Sequence, residues 1–262
     1  MKYTILKYGM LAGALLFGGC SNWLDVDPKS QVKQEALFES EAGFQDALTG
    51  IYTMMARTGM YGGHETMGFL DMVAQTYTEV IYTYEDVLKY NYEETNSKAC
   101  IDGFWEGNYS AIANCNQILA HVDERKGVFS SGVYEAVKAE ALALRAFLHF
   151  DLLRGFAFSY VTGKDELAIP YVDKVTNKPV AQSTVAEVLE RIITEAEEAR
   201  KLIREVDPLG PAYDTYTESG YKSEDFIQGG GFWLYRKSKL NYYGITAFLA
   251  RVYLYKGDKV NA

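Results

Sequence analysis

The chain has little of what most catalytic and metal sites are made from. It holds three histidines, three cysteines and five prolines in 262 residues. No second Cys or His stands at metal-ligand spacing from Cys100 or Cys115. Gly229-Gly230-Gly231 is not followed by Gly-Lys-Ser/Thr, and Gly163-Lys164 lacks the upstream glycine, so no phosphate-cradling loop is present. No Gly-x-Ser-x-Gly occurs. No apolar run reaches the roughly 20 residues that span a bilayer. The scarcity of proline leaves no Pro-rich or Ser-rich linker. Cations are also in deficit: 26 Lys and Arg face 35 Asp and Glu, a net charge of −9. That balance opposes nucleic acid or anionic lipid as a partner. His149, beside Asp151 and Arg145, reads as a structural hydrogen-bonding group rather than a general base. A carboxylate pair for glycoside cleavage is a spatial feature that a sequence does not display.

What is present begins at the N-terminus. Lys2 and Lys7 precede an apolar and small run, Tyr8 to Phe17, followed by Gly18, Gly19 and Cys20. A basic start and a short apolar run form a secretory signal. A cysteine directly after two small residues is the lipoprotein variant, in which Cys20 is acylated and becomes the new N-terminus. Several acyl chains hold far better than one, since each buried CH₂ contributes about 0.8 kcal/mol. Residues 1–19 therefore read as the signal and 20–39 as a tether. Cys100 and Cys115 form an even pair in an exported chain. A loop folding back on the helix of Cys115 would permit a bridge; two free, buried thiols are expected.

Periodicity predicts a mostly helical remainder, 40–262. Phe44, Ala47, Leu48, Ile51, Tyr52 and Met55 share a face of a helix capped by Ser40. Phe104 to His121 is a second helix, with Trp105 assigned to the core. Tyr134 to Phe158 is the strongest, striped by Val137, Ala141, Leu144, Leu148, Leu152 and Phe156. Thr184 and Glu187 make a capping box for a helix ending near Glu205. Leu240 to Lys256 is the last, closed by Gly257. Ala141 to Leu148 is echoed by Ala247 to Leu254, with Arg145 and Arg251 placed on the rim. Small residues, aromatics and leucines at helical spacing are the texture of tetratricopeptide-like hairpins, although the offset far exceeds a 34-residue repeat. Long irregular insertions must intervene. One is Thr58 to about Ser97, within which Thr76 to Tyr84 alternates weakly as a short strand would.

The abundant residue is tyrosine, 21 in number. Its flat apolar face and polar tip suit a wet binding surface. Asp71, Gln75, Tyr77, Tyr82, Tyr84, Tyr90, Asn91 and Tyr92 put aromatics beside amides and carboxylates in the first insertion. Sugar rings need that mixture, a flat face for C–H groups and fixed partners for hydroxyls.

Five segments together resemble the SusD/RagB family of outer-membrane nutrient-binding lipoproteins. They are Cys20-Ser-Asn-Trp-Leu24-Asp25-Val26-Asp27-Pro28, Ala47 to Tyr52, Trp105 to Asn116, Ala139 to Arg154, and Ala247 to Asp258. The resemblance implies an all-α, tetratricopeptide-like fold that caps a TonB-dependent transporter barrel. It implies a binder of glycan without cofactor or metal, lipid-anchored at the cell surface on the outer membrane. Members are usually far longer, so the chain matches their N-terminal half. Phe248, Leu249, Val252 and Tyr253 are then expected to lack part of their cover. A scaffold that touches no ligand and a lipid-anchored glycan-degrading enzyme are the alternative readings.

Overall fold

The computed structural model describes residues 34–79, 82–211 and 231–262. The chain divides into two units, Met1–Ala36 and Leu37–Ala262, and the helices below belong to the second. Helices of five residues or more are α1 (Glu41–Met55), α2 (Phe69–Val73), α3 (Thr95–His121), α4 (Val133–Phe156), α5 (Val185–Arg204) and α6 (Tyr242–Lys256). Single helical turns lie at Glu85–Leu88 and Tyr160–Gly163. Two short antiparallel strands, β1 (Leu167–Pro170) and β2 (Gln182–Thr184), pair Leu167 with Thr184 and Pro170 with Gln182. The fold is all-α with this small ribbon as an appendage.

Local chemistry fixes the helix ends where it was expected to. Ser40 Oγ accepts from Gly43 N–H at 3.2 Å, capping α1. Thr184 and Glu187 form the reciprocal capping box of α5. Gly257 ends α6 at φ +84°, a left-handed geometry that side chains disfavour. The seven inward residues of α5, Val185 to Ile203, are fully buried.

α4 is the axis of the molecule. Seventeen of its twenty-four residues are buried, so it packs on all sides rather than on one face. Ala139, Ala141, Ala143 and Ala146 let neighbouring helices approach closely, and α3, α5 and α6 all pack against it. Its buried polar residues each reach a different segment. Glu140 meets Arg236 and the Tyr52 hydroxyl. Asp151 accepts from Tyr61 Oη at 2.8 Å and pairs with Arg154 and Arg251. His149 Nε2 accepts from Val172 N–H at 3.0 Å, and its Nδ1 lies 2.9 Å from the Arg145 carbonyl.

Several expectations are corrected here. Arg145 is 6% exposed and leaves the rim for the core. It donates to both Glu195 oxygens at 2.9 and 2.8 Å, to Asn116 Oδ1 at 2.7 Å and to the Asp173 carbonyl at 2.8 Å. Those four acceptors offset its desolvation. Arg251 does stay exposed. The second helix begins at Thr95 rather than Phe104, because Ser97 and Cys100 are drawn into contact below the insertion. Trp105 is half-buried against the main core, while Phe104 is buried in a second, smaller one. Phe248, Leu249 and Val252 are buried by α4 and α5, Tyr253 is half-buried, and Tyr243 and Leu254 are the exposed large apolar side chains of α6. Phe38, placed in the tether by the sequence, is buried against Phe44 and stacks on His121. Cys100 and Cys115, by contrast, are free and buried as expected. Both sit on α3, where fifteen residues separate them by about 22 Å, far beyond disulfide reach. Burial pushes the Cys115 thiol up to about 12.

Candidate functional site

The first insertion leaves the helical frame after α1 and rejoins it at α3. Its opening turn is locked by its own backbone: the Met60 carbonyl accepts from Gly63 and Glu65 N–H at 3.1 and 3.0 Å. Met60 is buried, and Tyr61 ties the turn to Asp151 of α4. Gly68 then passes through a tight gap. A Cβ there would stand 2.8 Å from Tyr84 Oη and 2.9 Å from His64 Cα. Beyond it Phe69 and Met72 of α2, with Val87, Cys100 and Phe104, build a second small apolar core. Tyr84 packs on that core.

Gln75 and Tyr90 are two of the predicted set that the fold draws together. Both have left-handed backbone, at φ +57° and +56°. A side-chain-bearing residue there costs on the order of 1–3 kcal/mol and persists only where its surroundings enforce it. The enforcement is reciprocal. Gln75 Nε2 donates to the Leu88 carbonyl at 2.8 Å and faces that of Met72 at 3.4 Å. Tyr90 Oη donates to the Val73 carbonyl at 3.2 Å. Each residue thus staples the other's end of the segment. The Tyr90 ring, half exposed, meets Tyr92 edge-on at 6.2 Å and 67°.

The other predicted residues are placed less closely. Tyr82 is 83% exposed at the start of a 3₁₀ turn, Tyr82–Tyr84. Tyr84 is half-buried, packs on the small apolar core and meets His64 edge-on at 5.8 Å. Tyr77 is exposed, Asp71 is half-buried on α2, and Asn91 is exposed with its N–H donating to the Asp86 carbonyl at 2.9 Å. The weak alternation of Thr76 to Tyr84 forms no strand among the described residues, since Tyr82–Tyr84 coils instead. Cys20 lies outside the described residues.

Sequence reasoning missed one group in this insertion. Glu65 is 7% exposed, and its Oε1 accepts from Asn108 Nδ2 at 2.9 Å. Its Oε2 and Asn108 Oδ1 are both buried without a partner. Removal from water, with the Asp151 carboxylate nearby, pushes the Glu65 carboxyl up to about 7. Polarity alone marks Glu65 as a surface residue, so only the fold reveals it.

The histidine on α4 has no proton chemistry to offer. Burial holds His149 down to about 3, and both ring nitrogens are engaged. An open cavity of about 610 Å³ lies elsewhere, lined by Glu197, Glu198, Arg200, Lys201, Arg204 and Tyr242. Its charges oppose one another, Arg200 pairing with Glu197 at 2.5 Å. Among the described residues there is no group of three metal-ligating side chains, and no helix is long and apolar enough to cross a membrane.

Residues 22–208 match the SusD-like family model described as "Starch-binding associating with outer membrane". The chain is 23% identical over 244 residues to SusD-like protein P2 of Formosa agariphila, covering 88% of this chain and 44% of that protein. A SusD-like carbohydrate binding protein from Bacteroides vulgatus superposes with a TM-score of 0.63 at 21% identity, over 85% of this chain and 43% of that one. A SusD superfamily protein from Bacteroides thetaiotaomicron gives 0.62 at 20% identity, over 85% and 44%. The chain thus spans less than half the length of these relatives, and the structural likeness speaks for the fold.

Proposed function

The chain belongs to the SusD-like family, and from that premise we propose that it captures oligosaccharide at the outer membrane through the tyrosine surface of residues 75–92. The observation that carries this reading is the stapled pair. Gln75 and Tyr90 hold strained backbone in place so that the rings of Tyr90 and Tyr92 stand fixed and partly open to solvent. Rigid, exposed rings lose little freedom when a sugar stacks on them. In this reading residues 1–19 are a signal, Cys20 carries lipid, 20–39 tether the chain and 40–262 form the helical domain. The captured glycan passes to a TonB-dependent transporter barrel, and no bond is cleaved.

Single replacement of Tyr82, Tyr90 and Tyr92 by Ala tests it. Ring stacking worth about 0.5–1.5 kcal/mol corresponds to an affinity loss of about two- to tenfold. Melting temperature should barely move for Tyr82→Ala, while Tyr84→Ala should lower it, because Tyr84 packs on the small core. Calorimetric titration of the full chain in detergent with malto-oligosaccharides is the first assay, followed by a glycan panel. Wild-type affinity in every exposed-ring variant would remove this segment from the site and favour a scaffold.

A further inference from the structure

The entry turn of the first insertion is fastened to the frame at neighbouring points of α3 and α4. Met60 fits against Gly107 of α3, where a Cβ would stand 3.1 Å from Met60 Cγ. Tyr61 Oη gives its one hydrogen to Asp151 Oδ2 of α4 at 2.8 Å. Glu65 meets Asn108, the residue after Gly107, and that contact is short of a hydrogen. Both hydrogens of Asn108 Nδ2 are committed, one to Glu65 Oε1 at 2.9 Å and one to the Phe104 carbonyl at 2.8 Å. Turning the amide over would set Oδ1 against those two acceptors, so its orientation is fixed. Asn108 Oδ1 and Glu65 Oε2 are thereby left buried and bare. Each such orphan costs about 1–3 kcal/mol, and an ionised Glu65 would add a buried charge. No cation pairs with this carboxyl among the described residues. Tyr61 of its own turn and Asp151 of α4 are the titratable groups that act on it. The α3 helix offers neutral Asn108, and His64 turns its ring to Tyr84. Arg154 of α4 and Arg251 of α6 pair with Asp151 instead, at 3.0 and 3.3 Å.

We propose that the entry turn is a proton-gated latch: a hydrogen held between Glu65 and Asn108 keeps residues 57–67 closed on α3 and α4, and its loss to solvent lets them open while the helices stay folded. One hydrogen removes the buried charge and supplies the donor that the two bare oxygens lack. Without it, two carboxylates compete for the single hydrogen of Tyr61, and water solvates Glu65 better than the closed turn does. The carboxyl's rise to about 7 on burial sets the change in the acid-to-neutral range. The closed turn binds the proton more tightly than the open one, so closure weakens as pH rises toward 7 and is level above it. Opening is local because the backbone bonds of the turn close on themselves, from Met60 N–H to the Arg57 carbonyl through Leu70 N–H to the His64 carbonyl. Its release leaves the hydrogen-bond ladders of α3 and α4 intact.

The test is amide exchange on the full chain in detergent, wild type against Glu65→Gln, from pH 5 to 8, with rates corrected for their intrinsic dependence on pH. The N–H groups of Gly63, His64 and Glu65, which bond within the turn, report its opening, and amides of α5 report the frame. In wild type, protection of the turn should fall at least about tenfold from pH 5 to 8 and stay below that of α5 throughout. In Glu65→Gln it should be level with pH. The carboxyl carbon NMR signal of Glu65, identified by its absence from the variant, should move from the protonated to the ionised position over the same range. A signal that does not move would overturn the proposal, a water or a cation being the bridge if it stands at the ionised position. Turn protection that is flat with pH in wild type, or equal to that of α5, would overturn it too, because opening would then be ungated or global.

Discussion

Glu65→Gln is expected to remove a loss of stability that the wild type suffers between acid and neutral pH. The carboxyl sits in the turn that anchors the first insertion, 7% exposed, bonded through Oε1 to Asn108 on α3. Facing it are Tyr61 of its own segment and Asp151 of α4, and Arg251 of α6 reaches Asp151 rather than Glu65. Its affinity for a proton rises from the ordinary 4.5 to about 7 on folding. The folded chain therefore holds a proton that the unfolded chain releases across that window. The stability this carboxyl contributes is fully present below about 4.5, falls as pH rises through about 7, and is absent above it. A shift of about 2.5 units at 1.36 kcal/mol each gives about 3 kcal/mol. Glutamine keeps the acceptor toward Asn108 Nδ2 and adds an N–H group, the kind of donor that the unpartnered Asn108 Oδ1 lacks. Variant and wild type should be alike near pH 4, and the variant more stable by about 3 kcal/mol at pH 8. Denaturant unfolding of both full chains from pH 4 to 9 measures the difference, in which all other titrations cancel. A difference that stays flat with pH would refute the reasoning.

The remaining predictions concern the frame and the anchor. Leu148→Ala, in the fully buried stripe of α4, should cost about 2–5 kcal/mol; a loss under about 0.5 kcal/mol in thermal unfolding would contradict its burial. Arg145→Met should cost up to about 3–5 kcal/mol by taking the cation from half-buried Glu195, and adding Glu195→Leu should recover much of it. Failure of the second change to rescue would mean that the pair is not the source of the cost. Cys20→Ser should abolish uptake of labelled fatty acid and release the chain from the outer membrane, and continued labelling would end the lipoprotein reading.

How much of this could be read from the sequence depended on how local its causes were. The α5 helix was legible from its capping box and from seven apolar residues in phase, because both signals lie within one segment. The first nine residues of α3 were not, because Thr95 to Gly103 carries little periodicity, and its Cys100 packs on Phe69, Met72 and Val87 of a segment that precedes it. Arg145 was misplaced for a similar reason: its partner Glu195 lies fifty residues on, and nothing in the stripe of α4 announces it. In the candidate site, the residue types were visible as a run of tyrosines and amides. That Gln75 and Tyr90 clasp each other's backbone was not, since neither residue is a usual occupant of left-handed backbone.

The clasp also makes the chain between its two ends interchangeable. Gln75 is fastened at Leu88 and Tyr90 at Val73, so the base of the segment is closed without help from its exposed residues Thr76 to Glu79. Loop-closure entropy grows slowly, about 0.6 kcal/mol for each doubling of length. Insertions or exchanges within that stretch would then leave the helices around α4 nearly as stable as before. A lineage carrying this frame can vary those exposed residues without rebuilding the domain that carries them.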